Sequence, residues 1–217
     1  MSGNRSGMKP SEQVKWGRPN RRGELGAEVV VRNYEDESKA AAENTLARLK
    51  AAHGSAIKDV RQFRNEIRVE VAPEALREVL LFLRDEQELE FKYLSQIAGA
   101  EWHKNEQTHE RFFYVSYDLY SFRLKTRFYV YLVLPEDDPS APSVADLFST
   151  AEWHEREVFD LFGVDFLGHP DLRRILLPPH YDGHPLRKSY PAHGKDVWEL
   201  GRHVVPSNYD EIIGTIH

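Results

Sequence analysis

Residues 111–134, RFFYVSYDLYSFRLKTRFYVYLVL, decide the fold because large apolar and polar side chains alternate along them. Alternation with a period of two is typical of a β-strand with one buried face. Two strands are predicted, Arg111 to Tyr120 and Arg123 to Leu134, and the short connection between them favours an antiparallel pair. The buried faces are expected to carry Phe113, Val115, Tyr117 and Leu119 in the first strand, and Leu124, Phe128, Val130, Leu132 and Leu134 in the second.

The residues before this pair supply further strands and two helices. Ile57 to Phe63 and Ile67 to Val71 alternate around a polar turn, which predicts a hairpin, and Phe91 to Trp102 is another strand candidate. Pro73 opens a helix with one apolar face, and Asp36 to Ala52 is rich in helix formers. The apolar face contains Leu76, Val79, Leu80 and Leu83. This order predicts an α+β fold, a mostly antiparallel sheet with helices packed on it.

A third helix is predicted from Val144 to Phe162. Ser143 is its expected N-cap, with Asp146 as a weak reciprocal partner, and Gly163 can close it. Its apolar stripe is expected to contain Leu147, Ala151, Val158 and Phe162, with His154 in the same seam.

The last part of the chain, residues 167–217, shows no helical or strand period and holds six of the twelve prolines. Such a segment does not bury its own backbone polar groups in a core, and its leucine, tyrosine and tryptophan residues favour a partner surface over disorder. Three parts are therefore predicted. They are a basic N-terminal arm and helix at 1–55, an α+β core domain at 56–166, and an extended partner-wrapping tail at 167–217.

The composition excludes several classes of function. Because the chain has no cysteine, it has no disulfide, no thiolate zinc site and no cysteine-ligated iron–sulfur cluster, and a cytosolic location is the better expectation. The net charge of −6 argues against nucleic-acid binding. No stretch is apolar over the roughly 20 residues that a membrane span needs. The sequence also lacks a phosphate-binding loop and a nucleophile elbow.

Four histidines that lie close together raise the question of a metal site. They are His169, His180, His184 and His193, with Asp171 and Asp182 nearby. No two of the four are spaced as ligands on one helix face, and no zinc-binding pattern is present. No metal ligand is therefore predicted, and a stand-alone histidine-metal hydrolase is the weaker alternative.

Glu155 and Glu157 are candidates for a pair of catalytic carboxylates. Their positions on the predicted helix diverge by about 200°, so they cannot share a site, and surface ion pairing is the better interpretation. Glu152, Arg156 and Asp160 are spaced by four residues and are likewise expected to pair on an exposed face. No catalytic residue is predicted.

A short motif occurs twice in the tail. Its copies are Gly168-His169-Pro170-Asp171-Leu172-Arg173-Arg174 and Gly183-His184-Pro185-Leu186-Arg187-Lys188. Each is predicted to be a tight turn followed by a leucine and two adjacent cations. In a partner-wrapping tail the repetition indicates paired docking points, with an apolar anchor and cationic donors for a partner's carboxylates or carbonyls.

The helix and the two copies resemble a known family. Glu155-Arg156-Glu157-Val158-Phe159-Asp160-Leu161-Phe162-Gly163-Val164, followed by the first copy, looks like the signature of the C subunits of NADH-quinone oxidoreductase, respiratory complex I. The second copy, with Tyr190-Pro191, is similar to their second block. The resemblance runs from about Phe91 to about Pro206. Ser189 stands where the family usually has an aspartate, and residues 1–55 match nothing in the family.

The resemblance implies a non-catalytic structural subunit in the peripheral arm of a proton-pumping enzyme, on the cytoplasmic face of the cell membrane. Such a subunit reaches the membrane only through the complex. Its implied partners are the D subunit, which helps form the quinone pocket, and the B and I subunits. FMN, the iron–sulfur clusters, NADH and quinone would be held by neighbouring subunits, with no cofactor in this chain. Equivalent subunits of ferredoxin- or coenzyme F420-dependent quinone reductases and of membrane-bound hydrogenases are the alternative.

Overall fold

The order of helices and strands follows the local sequence patterns. The computed structural model describes residues 34–63, 66–103 and 111–191. The elements are α1 (Tyr34–His53), β1 (Ile57–Phe63), β2 (Glu66–Val71), α2 (Leu76–Asp85), β3 (Tyr93–His103), β4 (Arg111–Ser121), β5 (Thr126–Pro135), β6 (Ser140–Pro142), α3 (Ala151–Phe162) and β7 (Asp165–Leu167). The predicted hairpin, the helix after Pro73 and the three later strands are confirmed.

Five strands form one sheet in the order β1-β2-β5-β4-β3. The pairs β1/β2, β3/β4 and β4/β5 are antiparallel, which confirms the antiparallel arrangement predicted for residues 111–134. The pair β2/β5 is parallel, with Val69 opposite Val130. The sheet is therefore mostly antiparallel and the fold is α+β, as predicted.

One face of the sheet carries the hydrophobic core. The buried residues there include Phe113, Val115, Tyr117 and Leu119 of β4 and Phe128, Val130, Leu132 and Leu134 of β5, none more than 1% exposed. The helix α1 packs on β2 and β5, and α3 packs on β3. A Cβ on Gly99 of β3 would lie 2.8 Å from the Phe162 ring and 2.9 Å from Val158, so this glycine permits the close approach of α3.

The helix α3 begins at Ala151 rather than at Val144, so the predicted start was wrong. A single turn forms upstream, where the amide of Phe148 donates to the carbonyl of Val144. The carbonyl of Leu147, which a continuous helix would give to Ala151, instead accepts a hydrogen bond from Arg84 at 3.0 Å. Arg84 of α2, which is distant in sequence, thus binds the carbonyl oxygen that the longer helix would need as an acceptor.

Residues 168–191 form turns and irregular segments that lie against α3. Their lack of regular secondary structure was predicted from the prolines and glycines. The remaining residues of the predicted tail, 192–217, and the basic arm at 1–33 lie outside the described residues. No helix within the described part of the chain is long and apolar enough to cross a membrane.

Candidate functional site

Both motif copies pack against α3, and Arg174 of the first copy and the whole of the second bind its C-terminal end. We call Asp160, Arg174, His184 and Arg187 the clasp, because they connect the helix to residues 174–187 of the tail. Asp160 is fully buried, although its four-residue spacing from Arg156 predicted a solvent-facing ion pair. That prediction was wrong for Asp160, because the tail covers this side of the helix.

The carboxylate of Asp160 is the centre of the clasp. Its Oδ2 accepts hydrogen bonds from the amides of Ile175, Leu176 and Leu177 at 3.1, 2.8 and 2.8 Å. Its Oδ1 accepts from Nη1 of Arg174 at 2.7 Å. Burial alone would raise the pKa of Asp160, but the donors from the Leu177 amide, Arg174 and the other amides outweigh it and lower the pKa. The group is therefore held as a carboxylate.

The second motif copy binds the carbonyl groups that end α3. The carbonyls of a final helical turn have no partner inside the helix. Nδ1 of His184 donates to the carbonyl of Asp160 at 2.9 Å, and the amide of Leu186 donates to that of Leu161 at 3.1 Å. Arg187 donates to the carbonyls of Phe162 and Gly163 at 2.5 and 3.0 Å. A cation at this end of the helix also complements the helix dipole.

Gly163 is required by this packing. It ends α3 in the left-handed conformation, with φ of 70°. A Cβ at this position would lie 2.6 Å from Nη2 of Arg187 and 2.6 Å from the ring of His184. Glycine is therefore needed both for the backbone conformation and for the approach of the second motif copy.

The guanidinium of Arg174 joins the two copies. Besides binding Asp160, it donates to the carbonyl of Gly183 at 2.9 Å, and it lies 5.9 Å from the ring centroid of Tyr181. Arg174 and Arg187 were predicted to offer donors to a partner. The structure corrects this for both residues, because the acceptors lie within the chain. The repeated turn thus anchors the tail on its own domain.

The first motif copy is anchored through His169. Its Nε2 donates to the carbonyl of Glu152 at 3.0 Å, and its Nδ1 accepts from the amide of Asp171 at 3.0 Å. These two bonds fix the orientation of the ring and place a proton on Nε2. Nearby, Arg156 donates to the carbonyls of Arg173 and Arg174 rather than pairing with Glu152, so that predicted ion pair was wrong.

Glu155 is fully buried, which overturns its assignment to surface ion pairing. It accepts from the hydroxyl of Ser143 at 2.6 Å and from the amide of Val144 at 2.7 Å. The hydroxyl of Ser143 also accepts from the amide of Ala145 at 3.2 Å, which is the hydrogen bond of an N-cap, but it caps the single turn before α3 and not α3 itself. Burial raises the pKa of Glu155 against the effect of these two donors.

The hydroxyl of Tyr117 is buried without a partner among the described residues. Burial and the charge of Glu155 raise its pKa well above the ordinary value.

The remaining motif residues lie at the surface. Arg173 pairs with Asp171 at 2.5 Å, and Glu157 is exposed beside His154. The amide of Lys188 donates to the carboxylate of Glu101 at 2.5 Å. Sequence reasoning missed Glu101, although a lone carboxylate within an apolar strand was the signal that could have revealed it.

The other motif members shape the turns around the clasp. Gly168 and Gly183 each precede a histidine–proline pair and have φ of 83° and 88°. The two leucines of the copies differ, because Leu172 packs against the core whereas Leu186 is 51% exposed. Pro170 and Pro185 complete the two turns. Within residues 34–63, 66–103 and 111–191, no three histidine or acidic side chains are placed to hold a metal ion, and His193 lies outside these ranges.

Comparisons with known proteins give the family. A family model described as the respiratory-chain NADH dehydrogenase 30 Kd subunit matches residues 69–196. The C subunit of NADH-quinone oxidoreductase from Roseiflexus sp. (strain RS-1) is 41% identical over 152 residues, covering 70% of this chain and 85% of the relative. The corresponding C subunit from Geobacter sulfurreducens is 39% identical over 157 residues, covering 71% and 94%.

A solved structure shares the fold. A chain of the membrane-bound sulfane sulfur reductase, an archaeal respiratory membrane complex, aligns with a TM-score of 0.57 at 23% identity, covering 76% of this chain and 93% of that chain.

The fold and the clasp define an α+β domain that anchors its own C-terminal segment on its last helix. The chain belongs to the 30 kDa subunit family of the respiratory-chain NADH dehydrogenase, which includes the C subunits of NADH-quinone oxidoreductase. It is thus a subunit of a multi-subunit oxidoreductase complex, and the resemblance read from residues 155–191 is confirmed.

Proposed function

We propose that the chain is a structural subunit of the peripheral arm of a proton-pumping NADH-quinone oxidoreductase and supplies no catalytic residue. The clasp carries this proposal. A catalytic group must be reachable by substrate, whereas Asp160, Arg174 and Arg187 are occupied by partners within the chain. Their hydrogen bonds position the tail, which is a structural role.

In this proposal the redox centres lie in neighbouring subunits. A chain without cysteine supplies no thiolate ligand for an iron–sulfur cluster. FMN, NADH and quinone are assigned to neighbouring subunits as well, because the sequence contains no dinucleotide-binding or phosphate-binding loop.

The described part of the tail ends on contacts with the domain and with itself. Lys188 is bound to Glu101, and the hydroxyl of Tyr190 donates to that of Tyr181 at 2.9 Å. From there, residues 192–217 are proposed to continue onto the D subunit, with the B and I subunits as further neighbours on the cytoplasmic face of the membrane. The apolar residues of this segment, Val197, Trp198, Ile212 and Ile213 among them, support a protein surface as its destination.

Purification from native membranes tests the proposal. An affinity-tagged chain expressed from its own locus should recover the D, B and I subunits together with NADH-to-quinone activity, as identified by mass spectrometry and an activity assay. The separately purified chain should bind neither iron in metal analysis nor NADH in calorimetric titration. Recovery with hydrogenase or ferredoxin-linked subunits would favour a related complex. Stoichiometric metal or NADH on the isolated chain would contradict the structural role.

A further inference from the structure

Three aromatic rings meet at the end of the sheet where β4 turns into β5. The ring centroid of Phe122 lies 5.7 Å from that of Tyr93 and 5.0 Å from that of Tyr120. Phe122 is 68% exposed and Tyr93 is 46% exposed. Single exposed apolar residues are common on protein surfaces, whereas apolar side chains in mutual contact mark surfaces that bind another segment. We call these three residues the aromatic patch.

The helix α1 begins at this same end of the sheet. The hydroxyl of Thr126, the first residue of β5, donates to the carbonyl of Ser38 at 3.0 Å and lies 2.7 Å from the hydroxyl oxygen of Ser38. Thr126 is paired with Ser121, which directly precedes Phe122. These contacts hold the first part of α1 beside the β4–β5 turn. The residues that precede α1 in the chain therefore start close to the aromatic patch.

We propose that residues 25–31 of this chain, Leu-Gly-Ala-Glu-Val-Val-Val, bind the aromatic patch and cover it. Five of these seven residues are apolar, whereas residues 1–24 contain only four apolar residues. The segment is thus the part of the N-terminal arm that gains most from leaving water. It lies outside the region that the family model matches, residues 69–196, so its docking is a property of this chain and does not depend on the enzyme complex proposed above.

The length of the connection allows this docking. The patch lies on the face of the sheet opposite the core and α1, so the segment must pass the end of the sheet and cross from β5 to β3, a path of about 20 Å. Residues 25–33 span up to about 30 Å when extended. A segment tethered in this way has an effective concentration on the order of millimolar. The tether therefore favours the chain's own segment over a second copy or a separate protein.

Charge favours this segment over the rest of the arm. Arg123 is exposed in the β4–β5 turn, beside the patch. Residues 23–33 carry two glutamates and one arginine, whereas residues 1–22 carry six lysines and arginines and one glutamate. The first set complements the charge of Arg123 and the second is repelled by it. Because exposed ion pairs contribute little, charge selects the segment while the burial of apolar side chains supplies the affinity.

Hydroxyl-radical oxidation of the purified full-length chain, measured by mass spectrometry, tests whether the patch is covered. Replacing the three valines of the segment, residues 29–31, with serine should raise the oxidation of Phe122 severalfold. Val14→Ser, in the same arm but outside the segment, should leave it unchanged. Trp153, which is 56% exposed on α3, serves as the internal reference. Equal oxidation of Phe122 in the wild type and the triple variant would overturn the proposal, as would protection of Phe122 only in the assembled complex.

Disulfide cross-linking tests the identity of the occupant, and a chain without native cysteine suits it. Val30→Cys combined with Arg123→Cys should form an intramolecular disulfide, whereas Val30→Cys with Asp137→Cys, an exposed position beyond the opposite end of β5, should not.

A second substitution separates docking from simple proximity. Phe122→Ser, which removes the central ring of the patch, should slow the cross-link to position 123 by up to about tenfold. Trp153→Ser, which removes an exposed ring elsewhere, should not slow it. A rate indifferent to Phe122→Ser, equal cross-linking to position 137, or disulfides formed only between two copies of the chain would each overturn the proposal.

Discussion

Replacing Asp160 by alanine should release residues 174–187 from α3. In the native chain the buried carboxylate accepts three amide hydrogen bonds and the ion pair with Arg174, whose side chain is only 16% exposed. Alanine leaves the three amides and the guanidinium without this acceptor. Removing one partner of a buried ion pair costs about 3–5 kcal/mol.

The loss should appear as local opening before global unfolding. The tail can detach while the sheet stays folded, so the measured loss cannot exceed the free energy that docks the tail. A cost of about 3 kcal/mol corresponds to a change of more than a hundredfold in an equilibrium constant. Hydrogen exchange at the amides of Leu176 and Leu177 in the full-length chain should accelerate by about this factor, while Val115 in β4 keeps its protection.

Asp165→Ala provides the matched control, because Asp165 is an exposed acid on the neighbouring strand β7. Its substitution should leave exchange at Leu176 and Leu177 unchanged. The pKa of Asp160 is lowered from 3.8, so its contribution is complete above this value and is lost as the pH falls through the lowered pKa. Native-like protection of Leu176 and Leu177 in Asp160→Ala would refute the assignment of Asp160 as the anchor of the tail.

Four further outcomes are expected. Gly163→Ala should open the tail as Asp160→Ala does. Its control is Gly168→Ala, which is also at positive φ but has no atom within 4 Å of an added Cβ, so it should cost only the backbone strain of about 1–2 kcal/mol. Equal hydrogen exchange at the amide of Leu176 in both variants would contradict the steric argument. Because the pKa of Glu155 is raised from 4.5, the free energy of unfolding of the wild-type protein should fall as the pH rises above that value. Glu155→Gln should abolish this fall, as measured by urea unfolding over a pH series. The same pH dependence of the unfolding free energy in both proteins would contradict the prediction. Tyr117→Phe removes a buried hydroxyl without a partner and should be neutral or stabilising by about 1 kcal/mol, so a clear loss in melting temperature would reveal a missed acceptor. Phe162→Ala should cost about 3–5 kcal/mol in urea unfolding, because the ring packs against Gly99 in the core, and a cost under 1 kcal/mol would place it outside the core.

Much of the fold was predictable because its signals are local. The period-two alternation of residues 111–134 indicates which side chains face the core. The short turn between the two strands allows them to pair directly with each other in the antiparallel direction. The parallel pairing of β2 with β5 was not predicted. It joins Val69 to Val130 across two strands and a helix, and no local pattern encodes so distant a neighbour.

The family was also readable from the sequence, because residues 155–191 form a long motif with fixed internal spacing. The roles of its charged residues were less accessible. Asp160 and Arg156 have the spacing of a surface ion pair, and periodicity alone cannot show that a later segment covers that side of the helix. The same limit applies to Glu155, whose buried partners Ser143 and Val144 become neighbours only through the turn before α3.

The sequence by itself determined the strand faces, the two motif copies and the family, since each depends on side-chain identity at short, fixed spacing. Only the tertiary structure decided that both copies pack on α3 and that aromatic residues of β3, β4 and β5 share the face of the sheet opposite the core. Both depend on groups brought together by packing. A hydrogen bond from Arg187 to the carbonyl of Phe162 exists only when residues 25 positions apart meet, and burial strengthens it by excluding water.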